Sequence, residues 1–216
     1  MSSCQLCARD ISKPWNAPLL ESPNFVVLPS LGALVEGWLL IVPKRHFVAF
    51  GELPDSLIAE LLDLKVATSE IISRVYGTVC AFEHGPSKAG CSVGCGVDHA
   101  HMHLVPLQFD LAAAAAPHIP GKSRWFKANL ADCRRTFLER YDYLYLEQPL
   151  GRGRIFSADR LGSQVFRRAI ADRLGIPEQY NWRSHPQLPT IEKTIQAIRT
   201  EAQNHLSASV HSEYAA

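Results

Sequence analysis

An α+β fold with one antiparallel sheet, followed by a mostly helical C-terminal extension, is what the 216-residue sequence predicts. Three observations carry it. Short apolar runs bounded by glycine and proline surround one long helical stretch in the first half. Residues 97–106 alternate histidine with apolar side chains over the length of a strand. Composition then shifts after Asp110, where the alanine run Ala112 to Ala116 leads into Pro117, Pro120 and Gly121. The expected division is residues 1–110 as the α+β domain and 111–216 as an extension packed on it.

In chain order, 24–29 (Asn-Phe-Val-Val-Leu-Pro) reads as a short strand ended by proline. The continuous apolar run from Gly37 to Pro43 suits a strand buried on both faces, with Lys44-Arg45-His46 at its end. A helix starts near Asp55 or Ser56 as cap, carries Leu57, Leu61, Leu64, Ile71 and Val75 on one stripe broken by Thr68, and stops at Gly77. Thr78 to Glu83 is a strand. A loop with glycines at 85, 90, 94 and 96 leads into the histidine strand. Beyond Asp110 come a helix from Trp125 to Tyr141, a strand from Tyr143 to Glu147, a turn at Gly151 to Arg154, a helix from Ser163 to Leu174 and a last helix from Thr190 to about His205.

Composition excludes several classes. Net charge is +1, with 47% hydrophobic and 20% charged residues, so there is no basic excess for binding nucleic acid or an anionic membrane. No apolar run reaches the roughly 18 to 20 residues of a membrane span. The first residues, Met1-Ser2-Ser3-Cys4, lack the features of a signal peptide, and the expectation is a cytoplasmic protein. There, the cysteines at 4, 7, 80, 91, 95 and 133 point to metal or redox chemistry before disulfides.

The chemistry lies in His99-Ala100-His101-Met102-His103. On a strand, residues i, i+2 and i+4 share a face at successive steps of about 6 to 7 Å, which presents three imidazoles to one ligand. A neutral imidazole is a nucleophile, and either charge form donates to phosphate. Spacing alone leaves phosphate chemistry, a metal site and a chance run on an edge strand open. The glycine-rich approach favours phosphate, because exposed backbone N–H groups form an anion nest.

The sequence His99-Ala100-His101-Met102-His103-Leu104-Val105 resembles the signature of the histidine triad family, and Gly37 to His46 is similar to that family's strand ending in Pro-Lys-x-His. The resemblance spans roughly residues 4–109. It implies a nucleotidyl hydrolase or transferase acting on nucleoside phosphoramidates, dinucleoside polyphosphates or nucleotide sugars. By the resemblance His101 is the nucleophile and forms a nucleotidyl-histidine. His103 contacts the phosphate. His99 supports the site, and its carbonyl orients the His101 ring. No catalytic cofactor is implied. Two departures bear on the substrate. Gly96 stands where the family often has serine, leaving Gly94 and Gly96 to contact phosphate through backbone, with Ser92 as a side-chain substitute. Pro29 stands near a position where the family often has a ribose-binding aspartate. Residues 143–195 bear a weaker likeness to the extension of some histidine-triad-like proteins linked to RNA processing. Family members commonly form homodimers.

The resemblance also implies a structural zinc held by Cys4, Cys7, His46 and His99, a donor set chemically suited to that ion. The plain alternative is two reduced thiols near a terminus, and Cys91 and Cys95 complicate the choice of ligands. Glu83 is a candidate for a ribose hydroxyl or substrate amine at the site's mouth, against a solvated loop position. Arg167 and Arg168, with Arg152, Arg154 and Arg183, are candidates for a phosphate clamp, against a solvated helix face. Trp182 is expected to anchor the extension, and Asp98 to face away from the imidazoles. Two other classes stay open: a nucleotide-binding sensor or adaptor without turnover, and a metal-dependent hydrolase ligated by the three histidines.

Overall fold

The computed structural model describes residues 4–94, 96–120, 124–149, 153–158 and 161–213, the last nine by backbone alone. Among the described residues, eight strands form one sheet: β1 (Leu20–Glu21), β2 (Phe25–Pro29), β3 (Leu39–Pro43), β4 (Val79–Gly85), β5 (Met102–Pro106), β6 (Phe126–Lys127), β7 (Tyr143–Glu147) and β8 (Arg154–Ser157). Their order is β1-β2-β3-β5-β4-β7-β8-β6, and every pairing is antiparallel. The fold is α+β with helices across both faces. Three of the strands lie beyond residue 110, and the sheet runs unbroken into them, because β4 pairs with β7 from Ala81↔Glu147 to Gly85↔Tyr143. The later part also supplies helices α2 (Leu111–Ala115), α3 (Leu130–Leu138), α4 (Val165–Arg173) and α5 (Leu188–Glu213).

Helix α1 (Ile58–Tyr76) is the long helix of the first half. Neither Asp55 nor Ser56 caps it. They sit in a single 3₁₀ turn, and Leu57 takes the cap position without a side-chain bond. The buried stripe is Leu61, Thr68 and Ile72, whereas Val75 is exposed. Thr68 does not break the stripe because its hydroxyl donates to the Leu64 carbonyl at 2.7 Å, which satisfies the polar atom and leaves the methyl to pack. Gly77 ends the helix at φ 90°.

Alternation divides the sheet into two faces. Leu39, Ile41, Ala81, Met102, Leu104, Tyr143 and Tyr145 pack with Leu61 and Ile72 of α1 and Leu130 and Cys133 of α3. Phe82, Val105, Leu144 and Leu146 pack on the other face with Trp38, α2, α4 and the start of α5. The helix expected from Trp125 shrinks to α3, because Asn129 accepts from the amides of Ala131 and Asp132 while Asp132 accepts from the Asn129 amide, a capping box that sets the start. Of the turn expected at 151–154, residues 151 and 152 lie outside the described residues and Arg154 opens β8. Among the described residues, no helix is long and apolar enough to cross a membrane.

Candidate functional site

Strand β5 begins only at Met102, so strand alternation does not extend back to His99 and the three imidazoles separate. His101 and His103 line a cavity of about 480 Å³ on the face that carries Trp38. The ring of His99 lies elsewhere, 5.0 Å from the ring of His46. The expectation of three imidazoles serving one ligand is corrected accordingly.

Each ring is held by a partner that fixes where its proton sits. A carbonyl can only accept, and the His99 carbonyl lies 2.6 Å from His101 Nδ1. Nδ1 therefore carries the proton, and the Nε2 of neutral His101 bears a lone pair. Burial, and then the Arg167 guanidinium, hold His101 below the ordinary imidazole value, against the raising effect of the carbonyl bond. Burial first, then His101, His84 and Arg167, hold His103 well below that value. Both rings are neutral near pH 7.

The register explains how His103 is packed. It stands opposite Leu40 of β3 and Phe82 of β4, and the Phe82 ring stacks on it at 4.4 Å. His84, two residues along β4, turns edge-on to His103 at 6.3 Å and accepts from the Phe166 amide. Burial pushes His84 down to about 3.

Arg167 reaches the cavity from α4. It is almost fully buried, lies over the Trp38 ring at 4.9 Å and donates to the carbonyls of Tyr180 and Gly32. Gly32 also donates its amide to Pro186. A Cβ there would lie 2.5 Å from the Trp182 Cβ, and φ is +74°, so glycine is what lets the 180–186 segment close over the cavity. Trp182 lines that cavity, beyond the anchoring role expected of it.

Other expected contacts go elsewhere. Glu83 is buried in the core, where it accepts from the Phe50 amide and the Tyr143 hydroxyl, both at 2.6 Å. It is neither at the mouth of the site nor solvated, because β4 extends to Gly85 and carries it inside. Arg168 stacks on the Tyr180 ring at 3.8 Å and donates to Tyr180 and Ser163. Ser92 gives its hydroxyl to the Leu161 carbonyl. Arg183 donates to the Gly96 carbonyl at 2.6 Å and lies over Trp182. Gly96 takes φ +78°, a backbone conformation in which serine would be strained. Neither Gly94 nor Gly96 lines the cavity among the described residues; the loop contributes Val97. Arg154 is exposed on β8, Asp98 accepts from the Gly90 amide, and Arg152 lies outside the described residues.

The remaining wall comes from a segment that the motif reading passed over. Gln5, Leu6, Ala8, Asp10, Lys13, Trp15 and Asn16 face Leu28, Pro29, Ser30, Leu31 and Leu40. Nothing in the periodicity of residues 5–16 marks them. Only proximity to the Cys4–Cys7 pair hints at a fixed position.

That pair forms a tight turn, with the amides of Cys7 and Ala8 both donating to the Cys4 carbonyl. Cys4 Sγ lies 3.3 Å and Cys7 Sγ 3.4 Å from His99 Nδ1, and Cys7 Sγ lies 3.3 Å from His46 Nδ1. A tetrahedral zinc with ordinary Zn–S and Zn–N bonds separates sulfur and nitrogen ligands by about 3.5 Å. His99 Nε2 donates to the Pro43 carbonyl at 2.9 Å, so Nδ1 presents its lone pair to the sulfurs, the orientation that a ligating histidine needs. Among the described residues, Cys4, Cys7, His46 and His99 are the one group of such side chains close enough to hold a metal. Cys91 stands apart against Ser87, and Cys95 lies outside the described residues.

Comparison with family profiles finds no match, nor does comparison with curated proteins. Solved structures do show likenesses. One is a hypothetical histidine triad nucleotide-binding protein from Sulfolobus tokodaii, at 22% identity over 50% of this chain and 71% of that one, with a TM-score of 0.38. A Zn-bound histidine triad family protein from Mycobacterium smegmatis is 20% identical over 64% of this chain and 92% of that one, at 0.39. A GalT-like protein from Arabidopsis thaliana is 11% identical over 92% of both chains, at 0.46. At these identities and scores the likenesses give no residue of this chain a role.

Proposed function

We propose that the protein is a nucleotidyl hydrolase or transferase, with His101 as nucleophile toward the α-phosphorus of a nucleoside phosphoramidate, dinucleoside polyphosphate or related nucleotide. The observation that carries this reading is the 2.6 Å contact of His101 Nδ1 with the His99 carbonyl. It leaves the opposite nitrogen to attack. Once Nε2 is bonded to phosphorus the ring becomes cationic, and the same Nδ1–H then makes a charge-assisted bond to the carbonyl. The P–Nε2 bond forms as the P–O or P–N bond to the leaving group breaks; that group departs with the electron pair and takes a proton from water. Water or another acceptor then breaks the P–Nε2 bond and restores His101.

His103 and the Arg167 guanidinium border the same cavity and suit a dianionic phosphate. Trp15, Trp182, Leu31 and Pro29 offer apolar surface for a base, and Asp10, Asn16 and Ser30 offer polar partners for a sugar. The Cys4, Cys7, His46 and His99 set would hold a structural zinc, closed by four protein ligands and so without the open position that metal-assisted hydrolysis needs. When bound, it would fix His99 and, through the His99 carbonyl, the His101 ring.

The test is incubation with a panel of nucleoside phosphoramidates and dinucleoside polyphosphates, read by intact mass. A nucleotidyl adduct is expected on the wild-type chain and no adduct on His101→Asn, which should still bind nucleotide. Turnover by His101→Asn at the wild-type rate sinks the assignment.

A further inference from the structure

His103 carries a constraint that the nucleophile assignment does not use. Its Nδ1 lies 3.0 Å from the indole Nε1 of Trp38. An indole nitrogen donates and never accepts, so the bond requires a lone pair on Nδ1 and places the proton of neutral His103 on Nε2. Trp38 is fully buried and immediately precedes β3. Its ring is held edge-on to Phe82 at 5.9 Å, with the Arg167 guanidinium over its face. His103 is pinned in turn, with its ring stacked on Phe82 at an interplanar angle of 17°. The two histidines are thus fixed by different partners in opposite tautomers. A carbonyl keeps the His101 proton on Nδ1, and an indole keeps the His103 proton on Nε2.

We infer that Trp38 is a positioning residue that locks His103 in the Nε2–H tautomer, making it a standing hydrogen-bond donor to a phosphoryl oxygen and barring it from acting as nucleophile or base. This rests on the reading of the cavity as a phosphoryl-transfer site. It deepens that reading by dividing the labour of two otherwise similar imidazoles. A preset donor contributes without reorganising as charge develops on the phosphoryl oxygens.

Nitrogen NMR of ¹⁵N-labelled protein tests the lock without requiring turnover. The expected result is an unprotonated Nδ1 and a protonated Nε2 on His103, with a coupling across the hydrogen bond from Trp38 Nε1. On titration with AMP, the His103 Nε2–H resonance should shift. A protonated Nδ1, averaged tautomers or an AMP-insensitive Nε2–H overturns the inference.

Activity is tested by replacing Trp38 with β-(3-benzothienyl)alanine, which keeps the ring size and loses only the N–H. With the fold confirmed by NMR, His103 should populate both tautomers. kcat should fall roughly fivefold with KM changed less than twofold, the scale of one lost hydrogen bond. Unchanged kcat with averaged tautomers overturns the donor role. An adduct-free wild type with the His103 lock and AMP response intact would count against the proposed reaction and not against this inference, so the two failures are distinguishable.

Discussion

Glu83→Gln separates a core carboxyl from a substrate contact. Burial drives the Glu83 carboxyl up to about 7, against the lowering effect of its bonds from Tyr143 and Phe50. The ordinary value is 4.5. A carboxyl that binds its proton more tightly when folded stabilises the protein at low pH, and that contribution is lost as pH rises through the folded value. Integrating between these two values, wild type should lose about 2 to 3 kcal/mol from this group between pH 5 and pH 8. The buried histidines act oppositely. Depressed when folded, they contribute stability that is lost as pH falls, so wild type must be compared with the variant at each pH. Glutamine can still accept from Phe50 and bond Tyr143, so the fold should survive. Urea unfolding at pH 5, 6, 7 and 8 should give a stability difference between the two proteins that changes by about 2 to 3 kcal/mol across the range, while KM for a nucleotide substrate is unchanged. Parallel curves, or a tenfold rise in KM with no change in the stability slope, would refute the core placement.

Two further predictions follow. Arg167→Met should raise KM for an anionic substrate by about tenfold to hundredfold, the scale of a hydrogen bond to a charged group. Arg167→Lys should recover only part of this, because it keeps the charge and loses the fork that spans the carbonyls of Tyr180 and Gly32; equal KM for Arg167→Met and wild type would remove Arg167 from the site. Protein purified without chelators should carry one equivalent of zinc, and cobalt exchanged into it should show thiolate charge-transfer absorption that Cys7→Ser diminishes. Less than a tenth of an equivalent in a normally folded sample rejects the metal.

The sequence made some of this legible and concealed the rest for identifiable reasons. Strand β3 was plain because a run buried on both faces shows as unbroken hydrophobicity, and β7 because Tyr143 to Glu147 is rich in residues that fit a pleated surface. The His99 ring was harder to place. Alternation puts all three imidazoles on one face, and only the true start of β5 at Met102 frees His99 to turn toward Cys4 and Cys7. Glu83 misled because a glutamate beside a glycine loop is ordinarily solvated, and its partners, Phe50 and Tyr143, are distant in sequence. Trp38 lay in plain view within a recognised motif, but its bond to His103 spans 65 residues and depends on pairing between β3 and β5. The arginines illustrate the same limit. Arg167 and Arg168 are neighbours, and helical geometry sends one into the cavity and the other onto Tyr180.

The Cys4, Cys7, His46 and His99 cluster stands beside a cavity wall that needs an anchor. Residues 4–18 contain no buried side chain, yet Gln5 to Asn16 supply a large share of the lining. A segment with so little apolar burial cannot offset the entropy of ordering its own backbone, so its position has to be imposed from outside. A metal held by Cys4 and Cys7 of the segment, His46 of the loop after β3 and His99 of the approach to β5 would do this at one end. At the opposite wall Gly32, Arg167 and the 180–186 backbone serve the same purpose by direct contact. His99 also accepts from His101 Nδ1 through its carbonyl, so on the proposed reading the residue that would anchor the wall would also orient the nucleophile. A perturbation at the cysteines should therefore affect nucleotide affinity through the wall and the rate of attack through His101, and these two effects rise and fall together because they share one residue.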